Sequence, residues 1–274
     1  IILYAAFVGL NTAGAAISLK FAVTVSFVSI GVLVLFGIMA LTSGAADFSS
    51  LFNIEPDPGQ TAFLPHGVLP ILFALPFAMW LFLGIEELPL AAEESIDPVR
   101  DIPRAGIWAR GTLVFTGLLV LFLNTAVLGA EATGVAGEPL LDGFRAIVGE
   151  ELAWVAGVLA LFALFGLLAS LQGIMFAYGR NMYSLSRAGY YPKFLSLTGK
   201  RQTPWVALLA GALIGFAALV FVDAMGGSDG VAGAVVLNIA VWGAVLAYFM
   251  QMISYLILRR KFPMRVTRGS LVSF

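Results

Sequence analysis

Hydrophobic residues in this chain come in long blocks rather than in short alternating stretches. Runs free of any charged residue occupy 1–19, 21–46, 67–85, 111–130, 152–179, 202–222 and 230–258. A helix needs about 20 apolar residues to cross the hydrocarbon core of a bilayer, so each block suffices for one crossing. Inside lipid a spanning segment must pair its own backbone groups, which leaves helices or a closed barrel. Barrel strands would alternate apolar and polar residues with period two over about ten positions. These blocks are continuously apolar and predict helices. Adjusted at their polar edges, the predicted segments are 1–19, 21–46, 67–92, 107–130, 152–179, 202–222 and 230–258. The first opens inside an apolar run without an initiating Met and is read as truncated. The chain is accordingly read as an internal piece of a longer all-α membrane protein, one transmembrane domain over 1–274, incomplete at both ends.

The polar intervals carry their own information, because consecutive loops must alternate between the two faces of the membrane. Lys20 and the intervals 86–110, 180–201 and 259–268 fall on one face and hold 14 of the 15 basic residues. The intervals 47–66, 131–151 and 223–229 fall on the other and hold only Arg145, against ten acids. The positive-inside rule makes the first face cytoplasmic. A missed or extra helix would have mixed the two sets. The outer interval 44–66 is rich in Pro, Gly and Asp and reads as irregular. Residues 138–149 read as a short amphipathic helix on the outer surface, with Pro139 in its first turn.

Composition agrees. Of 274 residues, 60% are hydrophobic and 11% charged, with a mean hydropathy of +0.98, whereas soluble domains are about 25% charged. A soluble core of this size could not take in so much apolar surface. The net charge of −1 forms no basic stripe for nucleic acid. Cysteine is missing, so no disulfide framework or thiolate metal site arises. No nucleophile–His–acid constellation, metal-ligand cluster or phosphate loop is seen, so nothing points to an enzyme or a bound cofactor.

Chemistry concentrates in the third segment. It runs from His66 through Pro70, Pro76, Trp80 and Gly84 to Glu86, Glu87 and Pro89, and apolar character resumes at 88–92. Residues 67–92 therefore read as one span broken by Gly and Pro, with two acids set into it. Such interruptions are the best sequence pointer to a transporter binding site, since an unwound turn frees carbonyls and amides for a substrate. An acid within a span is functional by default; the alternative is that the span ends at Ile85 and Glu86 sits at the interface. Trp80 could hold an amine by cation–π contact, or serve in packing or an interfacial aromatic belt. Ser170 and Gln172, Ser26 and Ser29, Asn124 and Asn238 are polar groups inside spans, which mostly bond helix to helix. His66 reads as a solvated outer-loop side chain.

The stretch Trp80-Leu-Phe-Leu-Gly84-Ile-Glu86, followed by Ala92-Glu-Glu-Ser-Ile-Asp97-Pro-Val-Arg100-Asp-Ile-Pro103-Arg104-Ala, resembles the sixth-helix signature of the amino acid–polyamine–organocation permeases. A second block, Phe176-Ala-Tyr-Gly179-Arg180 through Arg187-Ala-Gly-Tyr-Tyr-Pro192-Lys193-Phe to Thr203-Pro204-Trp, resembles the end of their eighth helix and the loop into the ninth. A third, Leu10-Asn11-Thr-Ala-Gly14, is similar to the turn between helices four and five. The resemblance covers nearly the whole chain, as helices four to ten of a five-plus-five inverted-repeat transporter in which helices one and six are broken. Within the family, Pro76 to Leu83 with Gly84-Ile-Glu-Glu looks most like ethanolamine permeases.

By that resemblance the substrate is a small amine, such as an amino acid or ethanolamine, with exchangers and polyamine permeases of the same family as alternatives. It would be lined by Trp80, Leu81, Phe82, Leu83 and Gly84, with Ser170 and Ile174 on the eighth helix, and Glu86 would serve coupling or gating. Half of the site would lie on helices one to three, outside this chain. Some proton-coupled relatives carry a buried lysine in the fifth helix; residues 21–46 contain none, and Ser26 or Ser29 stands near that place. H+ and Na+ thus both stay open as coupling ion, as do symport and exchange. A channel would show rings of charge or a repeated polar helix face, which this sequence lacks. A non-transporting scaffold would tolerate alanine at Trp80 and Glu86.

Overall fold

The structure is a computed structural model that describes residues 2–226 and 231–262. Its described residues form nine α-helices and no strand: α1 (Ile2–Thr12), α2 (Ala15–Thr42), α3 (Leu69–Trp80), α4 (Pro98–Leu128), α5 (Ala130–Val135), α6 (Pro139–Val148), α7 (Ala153–Arg187), α8 (Trp205–Ala224) and α9 (Val231–Lys261). Among the described residues, six stretches are long and apolar enough to cross a membrane, one of them being α3 together with the segment up to Ala92. α1 is a shorter apolar helix of 11 residues.

Several boundaries differ from the hydropathy reading; α7, for one, continues to Arg187, eight residues past the predicted end at 179. The first break falls at Ala13–Gly14 and not at Lys20, which lies inside α2. Gly14 has φ +130°, a backbone conformation open to glycine and costly for other residues, whereas one lysine at a helix surface does not end a helix. The turn thus falls where the Leu10–Gly14 motif placed it. Similarly, α4 starts at Pro98 rather than 107, so much of the polar interval 86–110 is helical. Proline at the first helical position has no amide to leave unpaired. Arg265 and Arg268 lie outside the described residues.

The chain divides into two compact units. One comprises Ile1–Leu19, Pro76–Gly111 and Gln172–Phe274. In it α1 packs on α8, with Tyr4 edge-on to Phe216 at 5.9 Å. The Arg201 guanidinium donates to the Ala13 carbonyl at 2.7 Å, and the Thr203 hydroxyl to that of Thr12 at 3.3 Å. Arg180 pairs with Glu94 and reaches the Leu90 carbonyl at 3.5 Å. Two intervals assigned to the basic face, 86–110 and 180–201, are therefore tied to one another.

The second unit, Lys20–Leu75 and Thr112–Leu171, ties two intervals of the opposite face, 47–66 and 131–151, in the same way. The Asp47 amide donates to the Ala126 carbonyl at 2.9 Å, and the Glu131 amide to Asn53 Oδ1 at 3.2 Å. His66 is not merely solvated: its Nδ1 lies 3.0 Å from Asp57 Oδ2 within this outer loop, both side chains being more than half exposed.

The core of this second unit is aromatic. Phe36 on α2 and Phe144 on α6 are fully buried and meet edge-to-face at 5.1 Å, with Val32, Ala40, Leu123 and Ala156 around them. The short helix α6 thus does more than lie on a surface, since its Phe144 is a central core residue. Pro139 stands at its N-terminus as expected. Gly143 allows the approach: a methyl group there would sit 2.0 Å from Asn124 Oδ1 and 3.0 Å from the Phe36 ring.

Gly143→Ala is expected to lower the stability of the full-length protein by about 1–3 kcal/mol through overpacking. Gly134→Ala on α5, where nothing lies within 4 Å, is expected to leave it unchanged. Thermal unfolding in detergent checks the contrast; equal midpoints for the two variants would contradict this packing.

Candidate functional site: the broken third span

The helix of the third span ends at Trp80. Beyond it the hydrogen bonds shorten to i→i−3: Phe82 N–H to the Met79 carbonyl at 2.9 Å, Leu83 N–H to Trp80 at 3.2 Å, and Glu87 N–H to Gly84 at 3.2 Å. Gly84 takes φ +96° and starts a 3-10 helix over Ile85–Glu94. The expected break between 80 and 85 is present. Its cause is local, because Gly84 adopts a left-handed turn that a residue bearing Cβ resists. Pro89 then lacks the amide needed to resume a regular ladder.

The break is closed by side chains. Glu86 Oε2 accepts the Gly84 amide at 3.1 Å. The same oxygen accepts the hydroxyl of Tyr248, on α9, at 2.6 Å, and that hydroxyl also lies 3.4 Å from the Phe82 carbonyl. One carboxylate therefore satisfies a backbone donor released by the unwinding and joins the broken span to α9. Tyr248 was not singled out in the sequence. Its only signal was a phenol in an apolar helix, where a sheltered hydroxyl needs an acceptor.

Trp80, Leu81, Phe82, Leu83, Gly84 and Glu86 are contiguous along the break, and Ile174 belongs to the same unit, on α7. Ser170, also on α7, falls in the other unit. Trp80 is 47% exposed among the described residues. The candidate site contains one acid already engaged by two donors, an accessible aromatic and a stretch of non-α backbone. Through Glu86 the broken backbone and α9 are joined at one point.

Nearby, in the same unit, a buried polar ring fastens three helices. Gln172 Nε2 donates to Asn11 Oδ1 at 3.0 Å and to the Ser18 hydroxyl. Asn11 Nδ2 donates to Gln172 Oε1 and to the Phe7 carbonyl, both at 2.9 Å, and the Ser18 hydroxyl donates to Asn11 Oδ1 at 3.1 Å. Asn11, Ser18 and Gln172 are all at least 96% buried. Gln172 is thus a helix-to-helix bonding group, as its position in a span implied. Ser18 gave no sequence signal.

These features define a polytopic α-helical membrane protein with one span broken and retied by side chains. The chain belongs to the amino acid permease family, whose pattern matches residues 1–274 throughout. It is 29% identical to an uncharacterized transporter of Rhizobium meliloti over 81% of its own length and 44% of the relative's. It is 27% identical to an L-asparagine permease of Salmonella typhimurium over 76% of the chain and 40% of that protein. With an amino-acid permease of Bacillus subtilis the identity is 30%, over 70% of the chain and 39% of the relative. Each alignment thus spans less than half the length of the relative.

Gly84→Ala must force a Cβ into the left-handed turn. The expected cost is about 1–2 kcal/mol, read as a lower unfolding midpoint of the full-length protein. Gly111→Ala, inside α4 with open space around it, is expected not to destabilise. A Gly84→Ala protein of unaltered stability would show that this turn is not held as described.

Proposed function

We propose that the full-length protein carries an amino acid across the plasma membrane by alternating access, with the break at 80–86 forming one wall of its substrate site. The observation that carries this reading is the broken third span, closed by Glu86 and Tyr248, in a chain of the amino acid permease family. The relatives named L-asparagine permease and amino-acid permease support an amino acid as cargo. The narrower ethanolamine reading rests on the motif resemblance alone.

An amino acid entering the span loses hydration around its ammonium group, and the protein must replace it. Carbonyls at the break supply partial negative charge, and the exposed Trp80 face adds cation–π attraction of about 0.5–2 kcal/mol. Glu86 is already held by Gly84 and Tyr248, so it serves the switch rather than the cargo. Releasing the Tyr248 hydroxyl frees the broken span from α9, and restoring it closes that contact. A switch of this kind couples to H+ or Na+ by competition for the carboxylate, in symport or in exchange. The charge distribution places the intervals around Arg100, Arg187 and Arg259 in the cytoplasm.

Uptake of labelled amino acids and of ethanolamine into vesicles holding the full-length protein tests the assignment. Trp80→Ala is expected to weaken apparent affinity roughly two- to thirtyfold with little loss of maximal rate. Glu86→Gln and Tyr248→Phe are expected to lower the rate with little change in apparent affinity. Unaltered transport in Glu86→Gln and Tyr248→Phe would reduce this acid to an interfacial anchor. Uptake of ethanolamine alone would replace the amino acid reading.

A further inference from the structure

The loop that joins α7 to α8 has features the transport reading does not use. From Leu152 to Val222 the sequence has no acidic residue, yet Arg187, Lys193, Lys200 and Arg201 crowd into and beside this loop. All four are exposed. Among the described residues Lys193 and Lys200 form no ion pair. Between them the loop displays large apolar groups: Tyr190 is 80% exposed, Phe194 57% and Leu197 54%.

These groups are displayed on a built surface. The Ser186 hydroxyl donates to the Pro192 carbonyl at 2.7 Å, and the Tyr190 and Tyr191 amides converge on the Leu185 carbonyl at 3.0 and 3.3 Å. Gly199 N–H bonds the Thr203 carbonyl at 3.0 Å, Leu195 is buried beneath, and Arg201 is fastened to Ala13. The aromatic side chains are therefore held outward by a closed loop and do not collapse onto one another.

Helix length sets the depth of the loop. The charge-free part of α7 ends at Gly179, and Arg187 follows eight residues later, about 12 Å along the axis at 1.5 Å per residue. The headgroup layer is roughly 5–8 Å deep on each side. α8 begins at Trp205 and is apolar from its first residue. The loop must therefore descend from the outer edge of the headgroups to the edge of the hydrocarbon. Tyr and Trp favour that zone, and cations there attract anionic headgroups by about 1 kcal/mol each.

We propose that the α7–α8 loop is a binding surface for anionic phospholipid, with Lys193 and Lys200 meeting the headgroup, Tyr190 lying at the headgroup level, and Phe194 and Leu197 seated among the upper acyl carbons. Charge decides for a lipid of this kind, since Lys193 and Lys200, which form no ion pair among the described residues, call for an anionic partner. The proposal requires only that the chain spans a membrane, so it stands or falls independently of the transport reading.

The test uses the full-length protein, free of other cysteines, with a bimane fluorophore at Leu197→Cys or at the neighbouring Thr198→Cys. It is reconstituted in phosphatidylcholine vesicles containing phosphatidylglycerol, and either lipid is brominated in its acyl chains. Brominated phosphatidylglycerol is expected to quench more strongly than brominated phosphatidylcholine at equal mole fraction. Lys193→Gln and Lys200→Gln are each expected to reduce that preference about fivefold, whereas Arg145→Gln in the opposite loops leaves it intact. Equal quenching by the two lipids in the parent protein overturns the proposal. Quenching by aqueous iodide alone also overturns it and marks a solvated loop, and protection from both quenchers overturns it in favour of a protein partner. The lipid comparison in the parent needs no charge variant, so it holds even if those variants fold poorly.

Discussion

Every backbone amide and carbonyl that enters hydrocarbon must find its partner within the protein, and this one constraint shapes the chain. Long helices meet it automatically. The third span does not, because Gly84 turns the backbone left-handed and Pro89 withholds an amide from the ladder beyond. The chain meets the demand with Glu86, whose carboxylate takes the Gly84 amide and the Tyr248 hydroxyl on one oxygen. A charged side chain inside a span is costly, and here the cost is offset by two donors that would otherwise be poorly matched. Closure of the break rests on this one acid: whatever draws Tyr248 away from Glu86 also loosens the tie between the broken span and α9.

The two units solve helix association differently. Between helices in lipid there is little hydrophobic drive, so close packing and hydrogen bonding must supply the attachment. The unit that contains the break uses polar devices. Its Asn11–Ser18–Gln172 ring satisfies every donor and acceptor shown in it, and Arg180 spans from α7 to Glu94. Half-satisfied polar groups would be expensive in such surroundings, which is why the ring is closed. The other unit relies on contact: the Phe36–Phe144 pair, with glycine at 143 and 166 so that α6 meets Phe36 and Asn124, and α7 meets Ser29, at short range. Membership of the amino acid permease family covers both units, since the family pattern runs the length of the chain.

What the sequence determined by itself follows from quantities that belong to a segment alone. Apolar length gave the spans, Gly84 and the prolines gave the break, and the alternation of basic and acidic intervals grouped 86–110 with 180–201 and 47–66 with 131–151, as the contacts do. Each is a local property, decided by transfer from water or by backbone sterics, and needs no partner. Helix ends were less legible, because a charge such as Lys20 or Arg104 at a helix surface does not stop the helix, whereas a positive φ at Gly14 does. What only the tertiary structure decided are the pairings. Tyr248 is 162 residues from Glu86, and Gln172 is 161 from Asn11 and 154 from Ser18. Phe144 reads as one apolar residue of a surface helix until Phe36 is placed against it. A phenol, an amide or a ring in an apolar run has the same local signature whether it meets a helix, a ligand or lipid, and only the packing of distant segments distinguishes them.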